Sequence, residues 1–240
     1  MCDACGCGDT RIVPIQLHER LLADNDRTAR HNREHLRARG VAAINLMGSP
    51  GAGKTALLEA TARRFGDREK LAAITGDLET ERDADRVRAA GIRARAITTG
   101  SACHLDAEMV HHALHGDIAD GADFLFLENV GNLVCPAIYD LGQEASVVAL
   151  SVTEGEDKPL KYPVMFRNAD LVLVTKIDLL PALPDFDLRA LEEALAAVMP
   201  LPRVIAVSAR SGQGIDEWVE WMQRLRIPQP SRQGAATVPT

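Results

Sequence analysis

Short apolar runs alternate with longer stretches of helical period along most of this chain. The run VAAINLM (41–47) ends at a glycine, the pattern of a buried parallel strand that feeds a loop. Comparable runs begin at Leu71 (LAAITG), Ile92 (IRARAITT), Asp123 (DFLFLEN), Ser146 (SVVALSV), Asp170 (DLVLVTK) and Arg203 (RVIAVSA). Between them, helical spacing predicts helices that include 56–65, 105–115, 188–198 and 215–225. Strand and helix in alternation predict an α/β fold: a mostly parallel central sheet with helices on both faces. The same pattern divides the chain. Residues 41–228 read as the main domain. Residues 13–40 read as a charge-laced, exposed helix with sparse leucines (Leu17, Leu21, Leu36) that pack on a neighbour, stopped at Gly40. Residues 1–12 read as a flexible arm rich in Cys and Gly, and 229–240 as a disordered tail.

Composition narrows the function. The chain has 240 residues, 46% of them hydrophobic, and a net charge of −7 with scattered basic residues. No positive stripe is available to neutralise phosphates, which argues against a nucleic-acid partner. The polar start, with Asp3 and Asp9, is unlike a signal peptide, and no apolar run nears the roughly 20 residues that span a bilayer. A cytoplasmic protein with no membrane partner is expected. In such a reducing compartment, five cysteines with three inside the first ten residues read as metal ligands or reactive thiols rather than disulfides.

Between the first strand and the first helix of the main domain lies GSPGAGKT: Gly48, Ser49, Pro50, Gly51, Ala52, Gly53, Lys54 and Thr55. This is the G-x-x-x-x-G-K-[ST] phosphate loop in the context the motif requires, and it marks the domain as a P-loop NTPase. Backbone N–H groups cradle phosphate oxygens, Lys54 reaches the β and γ phosphates, and the Thr55 hydroxyl is placed for Mg²⁺. Thr175, Lys176 and Asp178, in TKID at the end of a later strand, select the base. A carboxylate accepts from both N1–H and the 2-amino group of guanine, whereas adenine offers no such donor pair. GTP and GDP are therefore the expected ligands. Thr175 stands where guanine-binding loops usually carry Asn and so gives up an amide. Ser208 and Ala209, in SAR, close another strand where a backbone contact to the base is expected. Glu128, in ENVGN, is the expected carboxylate near the metal, and Gly131 offers an N–H to the γ-phosphate. Asp77, at the end of the second strand, is assigned to Mg²⁺ or to water positioning, with Glu79 as its substitute. Asn132 replaces a water-orienting Gln, which predicts slow intrinsic GTP hydrolysis by Lys54, Thr55, Asp77 and Glu128.

A second set of chemistry-bearing residues lies beside this machinery. Parallel strands end on one sheet edge, so Cys103, His104 and Cys135 are expected to converge at the rim where nucleotide binds. Two thiols and one imidazole suit Zn²⁺ or Ni²⁺ but are one ligand short of four, to be completed by water or a second subunit. Cys135 lies four residues after Gly131, so loss of the γ-phosphate would move a ligand. His104, Glu108, His111 and His115 fall at helical spacing and read as a solvated face. Cys2, Cys5 and Cys7 present three soft ligands on the arm, with a freed α-amino group as a fourth. A square plane would suit Ni²⁺ and a tetrahedron Zn²⁺.

These segments also carry a resemblance. CDACGC, NLMGSPGAGKT, GDLETERDADR, GSACHLDAEMV, ENVGNLVCPA, SVTEGEDKPLKYP and TKIDLL occur in the order found in the HypB family of SIMIBI-class GTPases, which help insert nickel into [NiFe]-hydrogenase. The resemblance implies a GTP-hydrolysing nickel metallochaperone. In it, Cys2, Cys5 and Cys7 would form a high-affinity nickel site, and Cys103, His104 and Cys135 a metal site at a dimer interface promoted by GTP. It also implies HypA, a zinc-containing nickel protein, as partner, the hydrogenase large subunit as destination, and Lys158 near nucleotide at the interface. No histidine-rich run of the nickel-storing kind is present. The rival readings are an accessory GTPase for urease or another metalloenzyme, which would not call for the cysteine arm, and a small-molecule P-loop kinase, which should prefer ATP.

Overall fold

The computed structural model describes residues 12–228 except Ser101. Cys2, Cys5 and Cys7, the rest of the expected arm before Ile12, and the expected tail lie outside the described residues. Seven strands form one sheet: β1 (Ala42–Met47), β2 (Leu71–Asp77), β3 (Arg93–Thr98), β4 (Phe124–Glu128), β5 (Ala145–Ser151), β6 (Leu171–Thr175) and β7 (Val204–Ala206). They lie in the order β3-β2-β4-β1-β5-β6-β7, and every pairing is parallel. All seven apolar runs became strands, and the expected mostly parallel sheet is wholly parallel.

Among the described residues, eight α-helices surround it: α1 (Ile12–Ala38), α2 (Lys54–Phe65), α3 (Arg82–Ala89), α4 (Ala107–Leu114), α5 (Lys158–Lys161), α6 (Pro163–Arg167), α7 (Leu188–Val198) and α8 (Ile215–Gln223). Alternation along the strands explains the layers, because successive side chains point to opposite faces. Ile44, Phe126, Val147 and Leu173 pack with Leu57 of α2, Val87 of α3 and Trp218 of α8 on one face. On the other face, Ala43, Ile74 and Leu125 meet Leu36 of α1 and Val110 of α4, while Val148, Leu150 and Val174 meet Met165 of α6 and Leu191 of α7. The chain builds the sheet to one side of β1 and then to the other, so β1 is the switch point where ligands of such folds bind. No described helix is long and apolar enough to cross a membrane.

Of the expected leucine face of α1, Leu36 is buried and Leu21 is exposed. The rest of the buried face is Asn25, Ala29 and Asn32. The asparagines can be buried because they bridge backbone groups. Asn25 donates to Asp140 O (2.8 Å) and accepts from Ala107 N (2.9 Å), while Asn32 donates to Ala107 O (2.8 Å) and Leu141 O (3.3 Å). Arg33 adds a two-pronged bond to Asp140, 2.7 Å on each side. Replacing Asn32 by alanine strands two buried carbonyls and should lower the unfolding free energy by about 2 to 4 kcal/mol. Urea titration would read this, and a change inside about 0.5 kcal/mol would mean that the α1–α4 seam is held by something else.

Candidate functional site

The phosphate loop wraps from the end of β1 into the first turn of α2. Gly48 sits at φ +147°, and a Cβ there would stand 2.4 Å from Ala149 O, so no other residue fits against β5. Lys54 folds back over the loop and donates from Nζ to Gly48 O and Ser49 O, each at 3.2 Å. Burial pulls its pKa down, and Glu128, Asp83 and Glu154 oppose that shift. The loop opens on a cavity of about 430 Å³ walled by Gly53, Thr55, Asp77, Asp83, Arg86 and Gly131, among others.

Thr55 Oγ1 lies 2.7 Å from Glu128 Oε1 and 2.9 Å from Asp83 Oδ1. One hydroxyl has one proton to donate, so two carboxylates around it leave a deficit of positive charge. Glu128 is 3% exposed, and its Oε2 is buried without a hydrogen-bond partner. Burial first, and then the Asp83 carboxylate, push its pKa to about 7 despite the Thr55 bond and the cations Lys54 and Arg86. A hydroxyl with hard carboxylate oxygens, one of them orphaned, fits a hydrated Mg²⁺.

Asp77 does not reach Thr55. It lines the same cavity, but its carboxylate accepts from Leu78 N (2.7 Å) and the Thr80 hydroxyl, and the Thr80 bond chiefly holds its pKa below the ordinary value. Glu79 is exposed. The carboxylate on Thr55 is Asp83, because the turn over 78–81 lets the first turn of α3 swing back toward the loop. α3 is eight residues long and mostly charged, with only Ala84 and Val87 as its apolar side, so its helical signal is faint and Asp83 escaped notice with it.

A second cavity, of about 160 Å³, shares Gly53 with the first and is lined by Thr175, Lys176, Asp178 and Ala209. Thr175, which stands where guanine-binding loops usually carry Asn, also has a part in the fold. It is buried, and its hydroxyl donates to Ala52 O (2.6 Å), bracing β6 against the phosphate loop. Ser208 is also buried, and it donates to Asp178 Oδ1 (2.6 Å), so it orients the carboxylate rather than lining the cavity. Lys176 turns the chain at φ 59°, the one positive φ outside glycine among the described residues.

Cys103, His104 and Cys135 come together, half-buried, with one ligand atom from each lying within 4.8 Å of the others. The two Sγ atoms are 3.1 Å apart, and Cys103 Sγ is 3.8 Å from His104 Nδ1. The Cys103 contact and burial raise the pKa of Cys135, burial lowers that of His104, and the His104 ring lies 4.0 Å from that of Tyr139. Two asparagines tie this trio to the nucleotide side. Asn132 donates to Cys103 O (3.3 Å) and accepts from Val134 N (2.9 Å). Asn129 accepts from Leu105 N and Val130 N (3.0 Å each) and donates to Asn45 on β1 (3.2 Å). Between them, Gly131 lies against the phosphate loop, where a Cβ would stand 2.8 Å from Pro50 N. Asn129 was missed in the sequence; its one signal was a polar residue directly after a strand-end acid.

A parallel sheet with a glycine-rich loop after its central strand, a buried Lys-Thr pair and a second cavity beside that loop defines a P-loop nucleotide-binding protein. Residues 42–206 match the family model described as CobW/HypB/UreG, nucleotide-binding domain. The chain belongs to the HypB family. It is 51% identical over 223 residues to the hydrogenase maturation factor HypB of Azotobacter vinelandii, covering 92% of this chain and 72% of that one. The crystal structure of HypB from Helicobacter pylori in complex with nickel is 38% identical with a TM-score of 0.79, covering 84% of this chain and 94% of that one. That of HypB from Archaeoglobus fulgidus is 41% identical with a TM-score of 0.77, covering 85% and 99%.

Proposed function

We propose that this chain is a GTP-hydrolysing nickel metallochaperone for [NiFe]-hydrogenase maturation, in which GTP binding and hydrolysis drive dimerisation and metal transfer. The names of its relatives support the role. The observation that carries it is the hydrogen-bonded contact between the Gly131 loop and the Cys103, His104 and Cys135 trio. GTP lies across both cavities, its base on Asp178 and Lys176 and its phosphates on the 48–55 loop. Lys54 leaves the Gly48 and Ser49 carbonyls for the β and γ phosphates. Thr55, Glu128 and Asp83 would hold Mg²⁺, with Asp77 on the cavity wall, and the ion when bound would supply positive charge against that developing on the phosphates. Both polar atoms of the Asn132 side chain are engaged, so it does not orient the attacking water, which accounts for slow turnover.

Nickel is the cargo, and Zn²⁺ fits the same donors. When the γ-phosphate leaves, Gly131 loses a partner, and Asn132 carries the movement to the Cys103 carbonyl and to Cys135. A fourth ligand comes from water or a second copy of the chain. Val134 and Ile138, exposed on either side of Cys135, offer that copy an apolar rim. HypA and the hydrogenase large subunit, in the cytoplasm, are the partners at either end of the transfer, and Cys2, Cys5 and Cys7 hold nickel tightly until then.

Equilibrium nickel titration of the reduced full chain, with GDP and with a non-hydrolysable GTP analogue, tests this reading. Serine at Cys2, Cys5 and Cys7 should remove a tight site. The remaining site should change affinity by about fivefold or more between nucleotides and vanish with Cys103→Ser. An unchanged affinity in the two nucleotides defeats the coupling, and no effect of the arm substitutions defeats the arm site.

A further inference from the structure

Of the face expected to be solvated, Glu108 and His115 are exposed as expected, while His111 is half-buried against α1. His31 and His35 stand one turn apart on α1, and His111 and His115 one turn apart at the end of the facing helix, α4. Ring centroids are 6.3 Å apart for His31 and His35, 5.2 Å for His31 and His111, and 4.4 Å for His111 and His115. Asn32 decides the tautomer of His111. Its Nδ2 is committed to two backbone carbonyls, so its Oδ1 faces His111 Nδ1 at 3.1 Å and accepts that proton. The lone pair of His111 therefore sits on Nε2, 2.9 Å from His115 Nε2. His35 Nε2 is buried with no hydrogen-bond partner. Burial first, and then neighbouring charged groups, lower the pKa of both His35 and His111.

An imidazole whose Nδ1 is held by an outer carboxamide while its Nε2 accepts from the His115 ring, beside an unpartnered His35 nitrogen and a fourth ring, is a donor arrangement that a metal ion can take over from that one shared proton. We propose that His31, His35, His111 and His115 form a divalent transition-metal site, separate from both cysteine sites, that takes an imidazole-preferring ion such as Ni²⁺ or Zn²⁺. Bringing four nitrogens to about 2.0–2.1 Å from one ion requires side-chain rotation, which the exposed rings of His31 and His115 permit. The site holds metal by nitrogen alone, on the helix that begins three residues after His104. It does not depend on GTP hydrolysis.

The test is Ni²⁺ titration, against a chromophoric competitor, of the full-length chain with all five cysteines changed to serine. One equivalent should bind. Binding should weaken about tenfold or more with His111→Gln plus His115→Gln, and likewise with His31→Gln plus His35→Gln. No binding by the five-serine chain, or binding that survives both pairs of substitutions, overturns the site. In case the serine chain misfolds, the unsubstituted chain is titrated with Zn²⁺ past its thiol-bound equivalents while the histidine ring signals are followed by NMR. The signals of His31, His35, His111 and His115 should shift together, and shifts confined to His104, or absent, overturn the proposal.

Discussion

With Lys54 replaced by alanine, GTP hydrolysis should fall by about 10²- to 10³-fold, the usual loss when one preorganised donor to developing charge is removed. Lys54 Nζ rests on two loop carbonyls at 3.2 Å, so its charge is held at the mouth of the phosphate loop. Its removal also takes away a cation that pulls the Glu128 pKa down. More Glu128 is then protonated near neutral pH, and the Mg²⁺ donor set is weakened together with the phosphate contact. Single-turnover phosphate release at saturating GTP, with GDP affinity measured alongside, reads both effects. A loss of less than about tenfold would mean that the lysine does not reach the γ-phosphate.

Glu128 should make the nucleotide-free protein less stable as the pH rises. Its carboxyl has an ordinary value of 4.5 and is pushed to about 7 in the fold. Below 4.5 it is protonated in both states, and its burial carries no charge. Between 4.5 and 7 the unfolded chain releases a proton that the folded chain keeps, so stability falls. Above 7 the folded state bears the full cost of a buried carboxylate, roughly 3 kcal/mol. Thermal unfolding from pH 5 to 8 should show the decline, and Glu128→Gln should flatten it while weakening Mg²⁺-dependent nucleotide binding. Adding Mg²⁺ and GDP to the unsubstituted chain should offset the loss, because a cation at Oε2 favours the carboxylate. A slope unchanged by Glu128→Gln would assign the pH dependence to another group.

The central strands β1, β4 and β6 were legible because they are buried on both faces, and such strands read as continuous apolar runs whatever surrounds them. The phosphate loop was legible because its spacing and glycines are demanded by local backbone geometry. α3 was not, since Ala84 and Val87 alone make its apolar side among mostly charged residues, and Asp83 was lost with it. α1 was read as a helix with Leu36 on its packed face, but not with buried asparagines there. Its docking depends on Asn25 and Asn32 finding backbone partners more than 70 residues away, which no local pattern records. Thr175 and Ser208 were assigned to the ligand from their position in the motif, and their side-chain bonds to Ala52 and Asp178 are what no motif records.

What the sequence determined by itself is therefore whatever local rules encode: seven strands, the phosphate loop, a carboxylate just after β6, and thiols shortly after β3 and β4. The tertiary structure decided which groups meet. It put Asp83 rather than Asp77 on Thr55, tied the thiol pair to the Gly131 loop through Asn129 and Asn132, and closed four histidines over the α1–α4 seam. These are contacts between segments far apart in the chain. Their distances follow from how helices settle on a sheet, and the free energy of that settling is shared over the whole core.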